Sequence, residues 1–388
     1  MAGVYIHVPF CRQACHYCDF HFSTQIGNAE GMVEAIVQEA LLRKDQLPGW
    51  SNQPIQSLFL GGGTPSLLSE EAITRLIHGV SSALNIDLSS LTEITLEANP
   101  EDLEPSKLTA WKHAGVRRLS VGIQSFHDET LAWMNRAHSG DQAEQGVRLA
   151  AESGFEAITV DLIYGVPTSR NWAADVARAM SLPVQHLSAY ALTVEPQTVL
   201  GHRVAKGLEQ ESPDHRTVKE YRMLCEQMSR AGWVHYETSN WAAPKKGGVG
   251  AHRAIHNSAY WSGAPYLGLG PGAHGFLPPK RYANVASNPK YMRSVAQGHL
   301  AETTESLSQS DRYNEQIMTG LRTEQGICPD ALEAAFGLRP ENVDCQGWQT
   351  AISSGDLIPT SDGHYRIPEE RWITGDRIAA TLFHLPSS

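Results

Sequence analysis

The stretch VYIHVPFCRQACHYC, residues 4–18, decides the reading of this chain. It opens on a β-branched run, residues 4–8, of the kind that forms a buried strand. Directly after it come Cys11, Cys15 and Cys18, half of the chain's 6 cysteines. A secreted disulfide framework spreads cysteine pairs along a short chain, whereas clustering in a chain of 388 residues favours metal binding. Three thiolates fill three corners of a cubane iron–sulfur cluster and leave one iron open to an outside ligand. A sulfonium bound at such an iron can take one electron and break a C–S bond, giving a carbon radical. The competing metal is zinc, in a Cys3His site that would recruit His7, His16 or His21. Zinc sites usually pair two short C-x2-C knuckles, and only one is present here.

Outward from this stretch, β-branched runs at 55–60, 93–97, 118–123, 157–163 and 186–192 alternate with amphipathic segments at 29–46, 70–84, 105–113, 141–153 and 172–180. Strand–helix alternation of this kind predicts a parallel sheet with helices outside. Six units predict an α/β fold of the open, partial (β/α)6 barrel type, with the cysteines at the mouth formed by the strands' C-terminal ends. A helix is expected over 213–230. Residues 233–275, rich in Trp, His and Gly (Gly247, Gly248, Gly250, Gly268, Gly270 and Gly272), read as loops and short strands closing over the barrel. After about residue 301 the pattern turns helical, at 310–321, 329–336, 346–354 and 375–382, with a turn at 361–363 and a strand at 365–367. Helices followed by a small hairpin read as a mostly helical, winged-helix-like unit. The expected parts are a barrel at 1–232, a barrel-closing extension at 233–300 and a C-terminal unit at 301–388.

The spacing Cys-x3-Cys-x2-Cys, with Tyr17 just before the third cysteine, is the radical SAM signature. The chain resembles the branch of the radical SAM superfamily that contains oxygen-independent coproporphyrinogen III oxidase and the HemW heme chaperones, over nearly its whole length. The resemblance implies a [4Fe–4S] cluster on Cys11, Cys15 and Cys18, with S-adenosylmethionine (SAM) at the free iron. Gly61-Gly62-Gly63-Thr64-Pro65 follows the second strand. No Gly-Lys-Ser/Thr follows, which excludes a P-loop, and the position fits the loop that holds the amino group of SAM. Glu97, Gln124, Arg136 and Asp161 sit at or near successive strand ends, where polar groups converge on one mouth. A carboxylate suits ribose hydroxyls and Arg136 suits the methionyl carboxylate. In the similar oxidases residues of these motifs bind SAM, as does a tyrosine six positions before the first cysteine, here Tyr5.

Two departures separate the chain from the oxidase pattern. Phe20 stands where the oxidases carry a further cysteine, and the triad starts at residue 11 without the oxidases' long leading segment. His256-Asn257-Ser258-Ala259-Tyr260-Trp261 instead matches the HNxxYW motif of the HemW chaperones. Imidazole is a common heme ligand, and Tyr260 and Trp261 suit a porphyrin face; taken alone, the same residues would read as an aromatic core cluster. His252 and Arg253 are further candidates for ligation or propionate contact. Gly268–Phe276 reads as structural, and Cys225, Cys328 and Cys345 as small apolar residues.

The resemblance therefore implies a heme chaperone that carries a cluster and SAM, with heme as cargo and hemoproteins, cytosolic or membrane-bound, as recipients; a homodimer is compatible with it. The alternatives are the oxidative decarboxylation of coproporphyrinogen III, or radical SAM chemistry on another substrate. A net charge of −11 argues against wrapping a nucleic acid. No apolar run reaches the ~20 residues of a membrane span and no signal-peptide pattern opens the chain, so a cytoplasmic protein is expected.

Overall fold

The structure is a computed structural model and describes residues 2–46, 54–245 and 251–385. Its elements run in the order β1 (Ala2–Val8), α1 (Ala29–Gln46), β2 (Ile55–Gly62), α2 (Glu70–Ala83), β3 (Glu93–Ala98), α3 (Pro105–His113), β4 (Arg118–Gln124), α4 (Asp128–Trp133), α5 (Gly140–Glu152), β5 (Ala157–Tyr164), α6 (Trp172–Ser181), β6 (His186–Ala191), α7 (Val199–Ala205) and α8 (Asp214–Arg230). There follow β7 (Val234–Glu237), β8 (Asn240–Ala242), α9 (Ile255–Trp261), β9 (Tyr266–Leu269), β10 (His274–Leu277), β11 (Lys280–Asn284), α10 (Asn288–Ala296) and β12 (Glu302–Ser306). The C-terminal part contains α11 (Gln309–Gly320), α12 (Pro329–Phe336), α13 (Pro340–Val343), α14 (Cys345–Ser353), β13 (Ile358–Pro359), β14 (Tyr365–Arg366) and α15 (Gly375–Ala380).

Strands β1 to β6 pair in sequence order and all in parallel, which is the expected open (β/α)6 arrangement. The helices form where the sequence supplies both an apolar face and a start signal. Ser69 caps α2 by accepting from the Ala72 N–H at 3.1 Å, and Ile73, Leu76, Ile77 and Val80 bury the face that meets the sheet. Ser139 and Gln142 close a capping box at the start of α5. The α12 helix ends on Gly337 in the left-handed region, at φ 63°.

The segment expected to close over the barrel instead extends the sheet. β8 and β7 add to the β6 edge as antiparallel strands. β9 pairs in parallel with β1, and β10 to β12 continue from it, so one sheet holds 12 strands among the described residues. Covering the two open edges satisfies their unpaired backbone groups. Gly247, Gly248 and Gly250 lie outside the described residues. In Gly268–Phe276 a side chain has no room at Gly268, where a Cβ would stand 1.8 Å from the His274 carbonyl oxygen.

A buried polar knot locks the added strands to α1. Glu39 and Arg43 pair at 2.7 Å with almost no exposure. The Glu39 carboxylate also accepts from the Gly270 N–H at 2.7 Å and from Asn284 at 2.8 Å, while Arg43 donates to Asn284 at 2.7 Å and Glu302 at 2.8 Å. The C-terminal part matches the expected helices, and the strand at 365–367 is a two-stranded hairpin of β13 and β14. Among the described residues no helix is long and apolar enough to cross a membrane.

Candidate cluster and cofactor site

The cysteine loop leaves β1 at Val8 and is held from three sides. Behind it, Ser23 donates its N–H to Pro9 O at 2.8 Å and accepts from the Cys11 N–H at 3.1 Å. On one flank the β2 loop hydrogen-bonds across, Gly63 N–H to Val8 O at 3.0 Å and Thr64 N–H to Phe10 O at 2.6 Å. A Cβ at Gly63 would come within 2.6 Å of both carbonyl oxygens. The glycines thus let the loop approach the cysteine strand itself. On the other flank the turn after α4 docks through Asn135, whose Nδ2 donates to Ala14 O at 2.7 Å and whose carbonyl accepts from Gln13 at 2.6 Å. The same turn carries Arg136.

Around this loop lies a cavity of about 680 Å³ at the C-terminal ends of the strands. Cys11, Cys15, Cys18, Tyr5, Tyr17, Gly62, Gly63, Thr64, Glu97, Gln124, Arg136 and Asp161 all line it, so every residue assigned from the sequence to cluster or SAM meets in one space. Thr64 Oγ1 lies 3.6 Å from Cys11 Sγ, and Arg136 Nη1 lies 3.5 Å from Cys15 Sγ. Arg136 Nη2 donates to Asn99 Oδ1 and to Gly122 O, both at 2.7 Å. Gln124 sits where β4 slips register against β5, with φ 69°. A left-handed non-glycine residue at a bulge is a local cost that concentrates at functional sites.

The electrostatics favour binding charged groups. Burial pushes the Cys11 and Cys18 thiols up to about 11 and about 12, so metal ligation is what would make them thiolates near neutral pH. Burial, with Asp161 nearby, raises Glu97 to about 8, although the Gly62 N–H donates to it at 3.1 Å. Burial raises Asp161 to about 6 against the pull of Ser188 and Ser120. Two half-buried carboxyls therefore face a space that a cation would relieve.

Of the histidines near the cysteines, His7 has both ring nitrogens engaged, Nε2 with His21 O at 2.8 Å and Nδ1 with Tyr5 OH at 3.0 Å, while His16 Nδ1 meets Trp133 O at 2.7 Å and His21 Nε2 meets Asn288 at 2.8 Å. No group of three or more His, Cys, Asp or Glu among the described residues is placed to hold a single metal ion. Zinc–sulfur bonds of about 2.3 Å would need such a gathering, whereas a cubane gives each thiolate its own iron.

The HNxxYW helix, α9, forms a wall of the same cavity through His256, Asn257 and Tyr260. His256 is buried, with Nδ1 at 2.9 Å from Ser57 Oγ and Nε2 at 2.9 Å from Tyr260 OH, and burial lowers its pKa to about 3. Both ring nitrogens are thus engaged. Glu93 fixes the start of α9 by accepting from the Ile255 and His256 N–H groups, each at 3.0 Å. Trp261 stands apart from the cavity, with Arg322 over its ring at 5.1 Å. His252 contributes its carbonyl to Arg118 at 3.4 Å, and Arg253 pairs with Glu324; neither lines the cavity.

The sequence reading missed the barrel's polar interior. Thr95, Arg118, Ser120, Thr159, His186 and Ser188 line the cavity below the strand ends. Their signal was the period of two: Glu93-x-Thr95-x-Glu97, Arg118-x-Ser120-x-Gly122, Thr159-x-Asp161 and His186-x-Ser188 alternate with buried Ile94, Leu96, Leu119, Val121, Val160 and Leu187. Strands buried on both faces usually read as apolar runs, so this alternation marks an inner face that wants polar contents.

Comparison with known proteins agrees with this geometry. Residues 5–179 match the family described as the radical SAM superfamily, and residues 307–370 match the HemN C-terminal domain. The solved structure of Escherichia coli coproporphyrinogen III oxidase (HemN), a radical SAM enzyme, superposes with a TM-score of 0.81 at 19% identity, covering 98% of this chain and 90% of that one. The fold is therefore that of a radical SAM protein, a family that implies a [4Fe–4S] cluster and SAM. The heme chaperone HemW of Bacillus subtilis is 34% identical over 341 residues, 87% of each chain. That of Escherichia coli is 33% identical over 373 residues, 95% of this chain and 94% of its own. The chain belongs to the HemW family of heme chaperones.

Proposed function

We propose that this chain binds heme and hands it to hemoproteins, with a [4Fe–4S] cluster on Cys11, Cys15 and Cys18 and SAM in the cavity above it. The observation that carries the reading is that the HNxxYW helix walls the same cavity as the three cysteines, so a heme-linked motif and a cofactor site share one structural unit. When bound, the cluster and SAM supply one-electron chemistry at the sulfonium. The chain's own residues do the holding. The Gly62–Thr64 loop receives the amino group, Glu97 and Asp161 face the ribose and the positive charge, and Arg136 receives the methionyl carboxylate. Tyr5, Tyr17 and Gln124 complete the walls. In this reading residues 1–232 carry the cofactors, 233–300 complete the sheet and bring α9, and 301–388 cover its outer side. The recipients include cytosolic and membrane-bound hemoproteins.

Anaerobically reconstituted protein titrated with heme, followed at the Soret band and then mixed with an apo-hemoprotein, tests the reading. One heme per chain and its passage to the acceptor are expected. Absence of stoichiometric binding, together with loss of two CO2 from coproporphyrinogen III when SAM and a strong reductant are supplied, would replace the chaperone by an oxidase.

A further inference from the structure

A second hollow, of about 290 Å³, opens between the β9–β10 edge, the end of α9 and the C-terminal helix α11. Tyr260 lines both this groove and the cluster cavity, and so forms the partition between them. Its ring meets His256 edge-on at 5.0 Å on one side and Tyr266 edge-on at 4.6 Å on the other. One wall of the groove is apolar, made by Tyr266, Phe276 and Pro278, with the Tyr266 and Phe276 rings tilted 48° to one another, and Met318 lines it from α11 beside Gln316 and Thr319. Two cations stand on it. Arg281 lies over the Phe276 ring at 5.8 Å and pairs with Glu315, and Arg312 lies over Phe336 at 5.4 Å with no carboxylate in salt-bridge contact among the described residues.

We propose that this groove is the seat of the porphyrin, with Tyr266 and Phe276 against the macrocycle, Arg281 and Arg312 on the propionates, and Met318 as the soft donor to the iron. The assignment rests on the heme-chaperone reading and deepens it. Three observations favour the groove over the larger cavity. The larger cavity sets five carboxyl side chains against three arginines, Arg12, Arg118 and Arg136, a balance that opposes a dianionic cargo, whereas the groove presents two arginines to one glutamate. His256, the motif's imidazole, has both nitrogens taken by Ser57 and Tyr260, so a ligand to iron must come from elsewhere, and thioether sulfur is an established axial donor to heme. A groove of this volume, at the low end for a ligand site, leaves much of a porphyrin in solvent. That is the condition for handing it on. Tyr260 then places the cargo one aromatic ring away from the SAM cavity without sharing its space.

The test is heme titration of the reconstituted, full-length holoprotein and of Arg312→Gln, Arg281→Gln and Met318→Leu. Each arginine variant is expected to weaken heme binding by about tenfold, the scale of one charge-assisted hydrogen bond. Met318→Leu keeps the side chain's bulk, and is expected to shift the Soret band of the ferrous complex. Saturating SAM should leave the stoichiometry at one heme per chain. Wild-type affinity and spectrum in all three variants, or displacement of heme by SAM, would overturn the assignment while leaving the chaperone reading intact. A wild-type protein that binds no heme would instead remove the chaperone reading itself.

Discussion

Replacing Glu97 by glutamine should stabilise the SAM-free protein and cripple its binding of SAM. Burial and the neighbouring Asp161 raise the Glu97 carboxyl from 4.5 to about 8. In the unfolded chain this group ionises near its ordinary value, so between those two pH values the folded state holds a proton that the unfolded state has lost. Folding stability must then fall as pH rises from about 5 to about 8. At roughly 1.4 kcal/mol per pK unit, the full cost at high pH approaches about 5 kcal/mol. A glutamine amide is neutral at every pH and removes that slope. Urea unfolding of the reduced, anaerobic protein should give nearly equal stabilities for both forms at pH 5 and a gain of about 2–5 kcal/mol for Glu97→Gln at pH 8.5. SAM affinity of the reconstituted variant should drop by at least about tenfold, because the carboxylate that suits a cationic ligand is gone. Parallel unfolding curves for the two proteins at both pH values would refute the reasoning, since they would mean that Glu97 is ionised in the fold at no cost.

Further outcomes follow from the same geometry. Arg136→Met removes a cation 3.5 Å from Cys15 Sγ, and should lower the cluster's reduction potential in voltammetry while weakening SAM binding by about tenfold or more. Arg43→Met leaves Glu39 buried beside only neutral partners, and should cost about 3–5 kcal/mol in denaturant unfolding with SAM affinity unchanged in the protein that folds. His256 is held neutral, with a pKa of about 3; its ring signals in NMR should therefore show no titration between pH 5 and 8, and the tie to Tyr260 should persist through that range.

The parallel core of the fold was legible because its determinants are local. Each β-branched run is followed by a helix, and those after β2, β4 and β5 are amphipathic with side-chain caps at Ser69, Ser139 and Asn171; parallel strands need such crossovers. The outer strands were not. β12, with the sequence ETTES, is largely exposed and is a strand only because β11 pairs with it, a partner choice that the local sequence does not carry. The site residues at strand ends were legible from position, since strands in register bring Glu97, Gln124 and Asp161 to one mouth. Their setting was less so. The triple glycine suggested close approach to a ligand, yet Gly63 is small because the backbone of Val8 and Phe10 lies against it. The imidazole of HNxxYW suggested an iron ligand, but its two nitrogens are committed to Ser57 and Tyr260, contacts that join residues almost 200 positions apart in the first case. The polar lumen was written in the alternation along β3 to β6, which reading those stretches simply as β-branched runs left unused.

The most direct measurement is electron paramagnetic resonance of the anaerobically reconstituted, dithionite-reduced protein with and without SAM. A cluster held by Cys11, Cys15 and Cys18 with one open iron should give a [4Fe–4S]+ signal whose g-values move when SAM is added, and which is lost in the triple Cys→Ala variant. No [4Fe–4S]+ signal, or a cluster signal indifferent to SAM, would contradict the account.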